Sequence, residues 1–337
     1  MNRKELVEKL ELTSRALAQS NIIPILQSFC FTGKQVIAYD DNLGIMAPCE
    51  TKERFVVNGK TLLGLLSNSH SEAVEFSIEG HDLIVKAGRS TFKLPHDPVE
   101  DYLFKEPDGK QFSLKIPIAM ELLNGLGACL LTASKDQTQG ALMGVCLTGK
   151  SLYSTDGDAI SRFTGYWASK EAYILPNSFC EALIKFSPEK GELALGKEWC
   201  RAKLDTGYVI YGRLVETDTP IDYEDWIKKT IKGVAQFDPL PKGFNAALSR
   251  ARVVADPESA KTVLTAQAGR LKMLTETSMG VVKDTLAFAE QDEVEANVSA
   301  ELIQRCASLT DEMAVFNNCC AFKKGDELFI LVSNMGE

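Results

Sequence analysis

The chain has 337 residues, is 45% hydrophobic and 25% charged, and carries a formal net charge of −9. These values exclude a disordered chain and argue against a simple basic nucleic-acid binder, while the length allows about two or three domains. No apolar run approaches the roughly 18–20 residues of a membrane span, and Met1-Asn2-Arg3-Lys4-Glu5 lacks the apolar region of a signal peptide.

The first predicted element is an amphipathic helix over residues 2–18. Leu6, Leu10, Thr13 and Leu17 share one face, with Lys4, Glu8, Glu11 and Arg15 opposite. Two strands follow around the turn Thr32-Gly33-Lys34. A strand at 54–57 leads into a short helix that starts at Asn58-Gly59 and is buried through Leu62, Leu63, Leu65 and Leu66. Strands at 73–78, 82–86 and 90–94 close this block. A linker at 105–110, rich in Pro, Gly and charge, precedes a helix near 117–132 with Pro117 at a permitted first-turn position. The next helix spans about 177–187, capped by Asn177 or Ser178. Beyond a second linker at 228–241 come helices near 242–255 and 299–309, the latter capped by Ser299.

The pattern repeats. Phe29-Cys30-Phe31-Thr32-Gly33, Val145-Cys146-Leu147-Thr148-Gly149 and Val263-Leu264-Thr265-Ala266-Gln267-Ala268-Gly269 are equivalent, so turn glycines fall at 33, 149 and 269. A period this long marks a domain repeat, because solenoid periods run roughly 20–50 residues. The expected architecture is α+β, with three repeated domains at 1–107, 108–230 and 231–337. Each domain has two helices packed on antiparallel sheets.

Charge is unevenly distributed over this plan. The six helices hold Arg3, Lys4, Lys9, Arg15, Lys60, Lys185, Lys242, Arg250, Arg252 and Arg305 against Glu5, Glu8, Glu11, Glu121, Glu181 and Glu301. They sum to +4, and the remainder to −13. Helices sharing one surface would attract a polyanion there. Lys and Arg are also good helix formers, so charge alone leaves both readings open.

Catalytic chemistry is harder to find. Asp156 and Asp158, like Asp40 and Asp41, read as a metal-binding pair or as turn chemistry after a strand. The third repeat has Glu276-Thr277-Ser278 at that place and offers no third ligand, which favours the turn. Ser134-Lys135-Asp136 reads as a polar helix end rather than a nucleophile. The nine cysteines are odd in number, form no C-x-x-C pair and lie mostly in apolar runs. They predict reduced, buried thiols in a cytoplasmic protein. No metal, no cofactor and no enzymatic activity are expected.

Four segments then point to a family: Ile23-Pro24-Ile25-Leu26; Ala87-Gly88-Arg89-Ser90-Thr91-Phe92 with Glu100-Asp101-Tyr102; Ser134-Lys135-Asp136 with Gly144-Val145 and Thr155-Asp156-Gly157; and the stretch from Leu214 to Asp222-Tyr223. In order and spacing, and with the threefold repeat, they resemble the bacterial DNA sliding clamp, the beta subunit of DNA polymerase III. The resemblance spans essentially the whole chain. The chain is shorter than usual for that family and divergent, consistent with a phage-encoded member.

The resemblance implies half of a closed homodimeric ring, with helices around the hole and sheets outside. It implies a processivity factor that encircles double-stranded DNA. Such a clamp tethers the replicative polymerase and the clamp loader through short peptide motifs. On that reading Lys4, Arg15, Lys60, Lys185, Lys242, Arg250, Arg252 and Arg305 face DNA. The partner-peptide pocket would comprise Leu142, Thr155, Gly157, Asp158, Ala159, Ile160, Ile221, Asp225, Trp226, Leu331 and Val332. The joint between subunits would pair Tyr102 and Phe104 with Val253 and Val254. Several positions depart from the family. Asp158-Ala159 replaces a His-Arg pair, Asp225 replaces an Arg, and Val332-Ser333-Asn334-Met335-Gly336-Glu337 replaces Met-Pro-Met-Arg-Leu. These acidic replacements point to a basic partner peptide. The alternative is a three-domain protein-interaction module that no longer encircles DNA.

Overall fold

The computed structural model describes residues 1–20, 23–136, 138–217, 221–232, 236–255, 261–316 and 318–333. Helix α1 (Arg3–Thr13) begins where the Asn2 side chain accepts from the amides of Lys4 and Glu5, at 2.9 and 3.2 Å. It buries Leu6, Val7, Leu10 and Thr13. The helix is shorter than its apolar spacing predicts. The Thr13 hydroxyl bonds back to Lys9 O and that of Ser14 to Glu11 O. A 3₁₀ turn at Ser14–Ala16 follows, and Leu17 is extended.

The chain continues through β1 (Ser28–Phe31), β2 (Gln35–Tyr39), β3 (Leu43–Pro48), β4 (Phe55–Asn58), α2 (Gly59–Ser67), β5 (Val74–Glu79), β6 (Asp82–Ala87) and β7 (Ser90–Pro95). The middle repeat holds β8 (Leu114–Ile118), α3 (Met120–Cys129), β9 (Gly144–Thr155), β10 (Ala159–Pro176), α4 (Asn177–Phe186), β11 (Gly191–Leu195), β12 (Trp199–Leu204) and β13 (Val209–Arg213). After α5 (Tyr223–Thr230) come β14 (Asp238–Pro239), α6 (Phe244–Val254), β15 (Lys261–Gln267), β16 (Arg270–Thr277), β17 (Gly280–Ala287), β18 (Val294–Ser299), α7 (Ala300–Leu309), β19 (Glu312–Phe316), β20 (Cys319–Lys324) and β21 (Leu328–Ser333).

Two compact units result, and their boundary falls inside the middle repeat. The first unit is Met1–Met120 with Ser178–Leu214. Its larger sheet runs β4-β1-β2-β3-β13-β12-β11-β8, and β5-β6-β7 form a second sheet. The join between the first and middle repeats is antiparallel, from Met46↔Val209 to Leu43↔Gly212. The second unit is Glu121–Asn177 with Val215–Glu337. Its six strands run β14-β19-β20-β21-β10-β9, and β17-β16-β15-β18 form the other sheet. Here β10 pairs with β21, from Ala159↔Val332 to Phe163↔Leu328. Half of the middle repeat therefore completes a sheet of each neighbour.

The repeat glycines Gly33, Gly149 and Gly269 all hold positive φ, as their tight turns require. The paired aspartates are turn residues. Asp40 Oδ1 accepts from the amides of Asn42 and Leu43, and Asp156 Oδ1 from those of Asp158 and Ala159.

Two predicted elements differ. Pro117 lies in β8, not in a helix. It sits opposite Glu192 on the edge of the eight-stranded sheet, where a missing N–H is tolerated, and α3 starts at Met120. Helix α5 is not among the predicted elements: it starts before the segment read as a linker and ends within it. The Asp222 side chain caps it by accepting from Asp225 N at 2.9 Å, and Lys229 pairs with Asp225 at 2.6 Å. The described residues therefore hold seven α-helices, one more than expected.

Candidate functional site

The eight cations expected to face DNA are all exposed. They divide between the units, with Lys4, Arg15, Lys60 and Lys185 in the first and Lys242, Arg250, Arg252 and Arg305 in the second. Two are already neutralised. Arg250 grips Asp284 with two bonds, at 2.6 and 3.1 Å, and Arg305 pairs with Glu301. Arg252 donates to the neutral Gln304 side chain at 2.7 Å. The other five make no ion pair among the described residues. Arg3, part of the helix excess, is tied to Ser71 O and Leu66 O and serves packing.

Most residues of the expected peptide pocket come together in the second unit. Strand pairing sets Ile160 opposite both Thr155 and Leu331, and Ala159 opposite Val332. Ile160 and Leu331 join an apolar cluster with Tyr153, Tyr223, Ile227, Phe316 and Phe329, against which Ile221 and Trp226 pack. Gly157 and Asp158 lie exposed on the turn after β9, and Asp158 O accepts from Ser333 N at 2.8 Å. Leu142 is half-buried beside Ala141, which packs on the same cluster. Residues 334–337 lie outside the described residues.

The surface also uses residues that the sequence reading passed over. Tyr153 and Tyr223 stack at 5.1 Å. Glu224 accepts from Tyr153 OH at 2.7 Å and pairs with Arg162 at 3.3 Å, while Arg162 lies over the Phe329 ring. Burial, with Glu224 beside it, pushes the Tyr153 hydroxyl up to about 12. Tyr153 and Arg162 belong to the strand alternation flanking Thr-Asp-Gly, which was the available signal. Asp225 is exposed and forms an i,i+4 surface pair with Lys229 at 2.6 Å.

The residues expected at the subunit joint differ in exposure. Tyr102 is buried in the first unit's own core, and its hydroxyl donates to Ser28 O at 3.1 Å. Phe104 packs against the same core, with its ring 5.0 Å from Tyr39 and 5.6 Å from Tyr211. Tyr102 is therefore buried within the chain, while Phe104 is half-buried. Val253 is 75% exposed on α6 and Val254 is half-buried. The hydroxyl of Thr277 donates to Val254 O at 2.7 Å, which brings the end of α6 to the β16–β17 turn. That turn and the edge strand β17 carry exposed Met279 and Val281. In the first unit, a groove of about 760 Å³ lies between α2 and the β6–β7 turn, lined by Lys60, Leu65, His70, Arg89 and Phe92 among others.

All nine cysteines are buried, and none forms a disulfide. Among the described residues, no cluster of three or more His, Cys, Asp or Glu is placed to hold a metal. No helix among them is long and apolar enough to cross a membrane.

Paired helices on antiparallel sheets, with strands of one repeat extending the sheet of the next, define a sliding-clamp fold. Residues 1–104 match the family model described as DNA polymerase III beta subunit, N-terminal domain. The whole chain matches the DNA polymerase sliding clamp from Caulobacter crescentus, at 16% identity and TM-score 0.84, covering 100% of this chain and 99% of that one. It matches the DNA polymerase III beta subunit from Thermotoga maritima at 18% identity and TM-score 0.83, covering 100% and 98%. It matches the beta subunit from Pseudomonas aeruginosa at 17% identity and TM-score 0.81, covering 100% and 99%. No curated protein matches the sequence. The chain thus has the fold of the bacterial sliding clamps, divergent in sequence, and residues 1–104 carry that family's N-terminal signature.

Proposed function

We propose that this chain is the subunit of a DNA sliding clamp, a processivity factor that encircles duplex DNA and tethers a polymerase. The full-length clamp fold carries this reading. The repeats at 1–107, 108–230 and 231–337 are its three domains. The unpaired cations on the helices support a weak, sequence-independent phosphate contact. Such a contact is screened by salt and lets DNA slide where tight contacts would hold it. No feature of the described residues favours an interaction module that has left DNA.

The ring is a homodimer on this proposal. Val253, Val254, Met279 and Val281 form the apolar end of one subunit. The groove between α2 and β7, with Leu65 and Phe92, receives them on the other. Both ends carry unpaired sheet edges, and pairing them removes an aggregation hazard. The partner peptide docks on the cluster around Ile160 and Leu331. Capture on nicked circular DNA with the cognate loader tests the function: retention is expected, and a protein that never stays on any circle would refute it.

A further inference from the structure

The turn that follows Thr155 is built twice in this chain, and the two copies differ in charge. In the second unit Asp156 Oδ1 accepts from the amides of Asp158 and Ala159, at 3.0 and 2.8 Å. Gly157 between them holds a φ of 100°, and Asp158 O accepts from Ser333 N at 2.8 Å. In the first unit Asp40 Oδ1 accepts from the amides of Asn42 and Leu43, at 2.9 and 2.7 Å. Asp41 holds a φ of 87°, and Asn42 O accepts from Arg213 N at 2.8 Å. The two turns correspond bond for bond. Asn42 stands where the second copy has Asp158, so the turn itself needs no carboxylate at that place.

Asp158 lies two residues before Ile160, at the edge of the surface read as a peptide site. The other acids of this turn and of the start of α5 are engaged. Asp156 and Asp222 accept from backbone amides, Glu224 pairs with Arg162, and Asp225 pairs with Lys229. The Asp158 carboxylate is exposed and makes no hydrogen bond or ion pair among the described residues. Its backbone N–H and C=O are both bonded, so the turn fixes the residue without using its charge. We propose that Asp158 is a specificity-determining residue of the peptide site, selecting a partner segment that carries a lysine or arginine beside its apolar anchors. This rests on reading the surface as a peptide site. A carboxylate on a fixed turn needs little further ordering when a cation arrives. The pair lies at an exposed rim, so it supplies selectivity and is screened by salt, while apolar contacts supply most of the affinity.

The probes are overlapping fluorescein-labelled peptides tiling the cognate polymerase, titrated by anisotropy into the full chain. The tightest binder should carry a Lys or Arg. Asp158→Asn, which copies Asn42 and keeps the turn, should weaken it about three- to five-fold at low salt and hardly at all at high salt. Replacing the peptide's basic residue by Gln should weaken wild type by the same factor and leave Asp158→Asn unchanged, as a double-mutant cycle requires of a single pair. Equal affinity of wild type and Asp158→Asn at low salt overturns the proposal, as does a loss that salt does not screen. Trp226→Ala is the control for the site itself. It removes apolar contact at the rim and should weaken peptides whatever their charge. A peptide weakened by Trp226→Ala but indifferent to Asp158→Asn keeps the site and removes the charge selection. Binding indifferent to both variants, or no binding by any peptide, removes the site and the selection with it.

Discussion

Glycine in a helix interior is usually a weakness of about 1 kcal/mol relative to alanine. Gly125 in α3 reverses that sign. A Cβ there would stand 2.6 Å from Phe163 Cδ1 and 3.0 Å from Leu152 Cδ1. Overpacking of this kind costs roughly 1–3 kcal/mol. Gly125→Ala should therefore lower stability in urea unfolding by about 1 kcal/mol. Gly64 in α2 has nothing within 4 Å of the same position, so Gly64→Ala should stabilise by up to ~1 kcal/mol. Shifts of the same sign would contradict the packing described around Phe163. The cysteines give a second prediction. Burial pushes the thiols of Cys30 and Cys129 up to about 12 and that of Cys146 to about 11. The thiolate is the reactive form, so folded protein at pH 8 should resist iodoacetamide and become labelled at all nine sites in denaturant. Several adducts on the folded protein, counted by mass spectrometry, would count against this. At this scale the sequence spoke clearly about burial and poorly about partners. Leu6 and Leu10 declare their face by period, whereas Tyr102 looked available because its acceptor, Ser28, lies 74 residues away.

Among the elements, the repeat made most helices and strands legible, and the failures share one cause. Pro117 and α5 both lie near the predicted linkers, outside the repeated turns that guided the reading. Proline fits a helix's first turn and a sheet edge equally well. Only the pairing of β8 with β11, through Glu192, decides between them. In α5, paired charges at Asp225 and Lys229 hid a short helix whose apolar face contains only Tyr223, Ile227 and flanking residues. The residues expected at a peptide site near Thr-Asp-Gly come together because they fall on paired strands. The tie through Glu224 could not be read from the sequence, because it joins segments 71 and 62 residues apart. The terminal elements support a prediction about assembly. Val253→Asp puts a charge on the apolar end of α6, where Met279 and Val281 are also exposed. Light scattering should show a wild-type dimer at micromolar concentration and a largely monomeric variant. A fully dimeric Val253→Asp would move the joint elsewhere.

For the molecule as a whole, distribution of charge matters more than its sum. A chain of net charge −9 repels DNA on average, yet Lys4, Lys60 and Lys185 on helices, Arg15 on the 3₁₀ turn after α1 and Lys242 on the turn before α6 are exposed without ion-pair partners among the described residues. Lys60→Glu with Lys185→Glu should cut retention on nicked circles sharply. Arg250→Ala with Arg305→Ala should do less, because those guanidiniums already face Asp284 and Glu301. Equal losses, compared by gel filtration, would mean that the ion pairs open on DNA. A ring holds DNA by topology, which cutting the DNA reveals. Protein bound to a closed DNA circle is isolated, the circle is cut once, and the retained fraction is compared with an uncut control. A closed ring should stay on the circle, depend weakly on salt, and be lost once ends are available. Equal retention on cut and uncut DNA would contradict it.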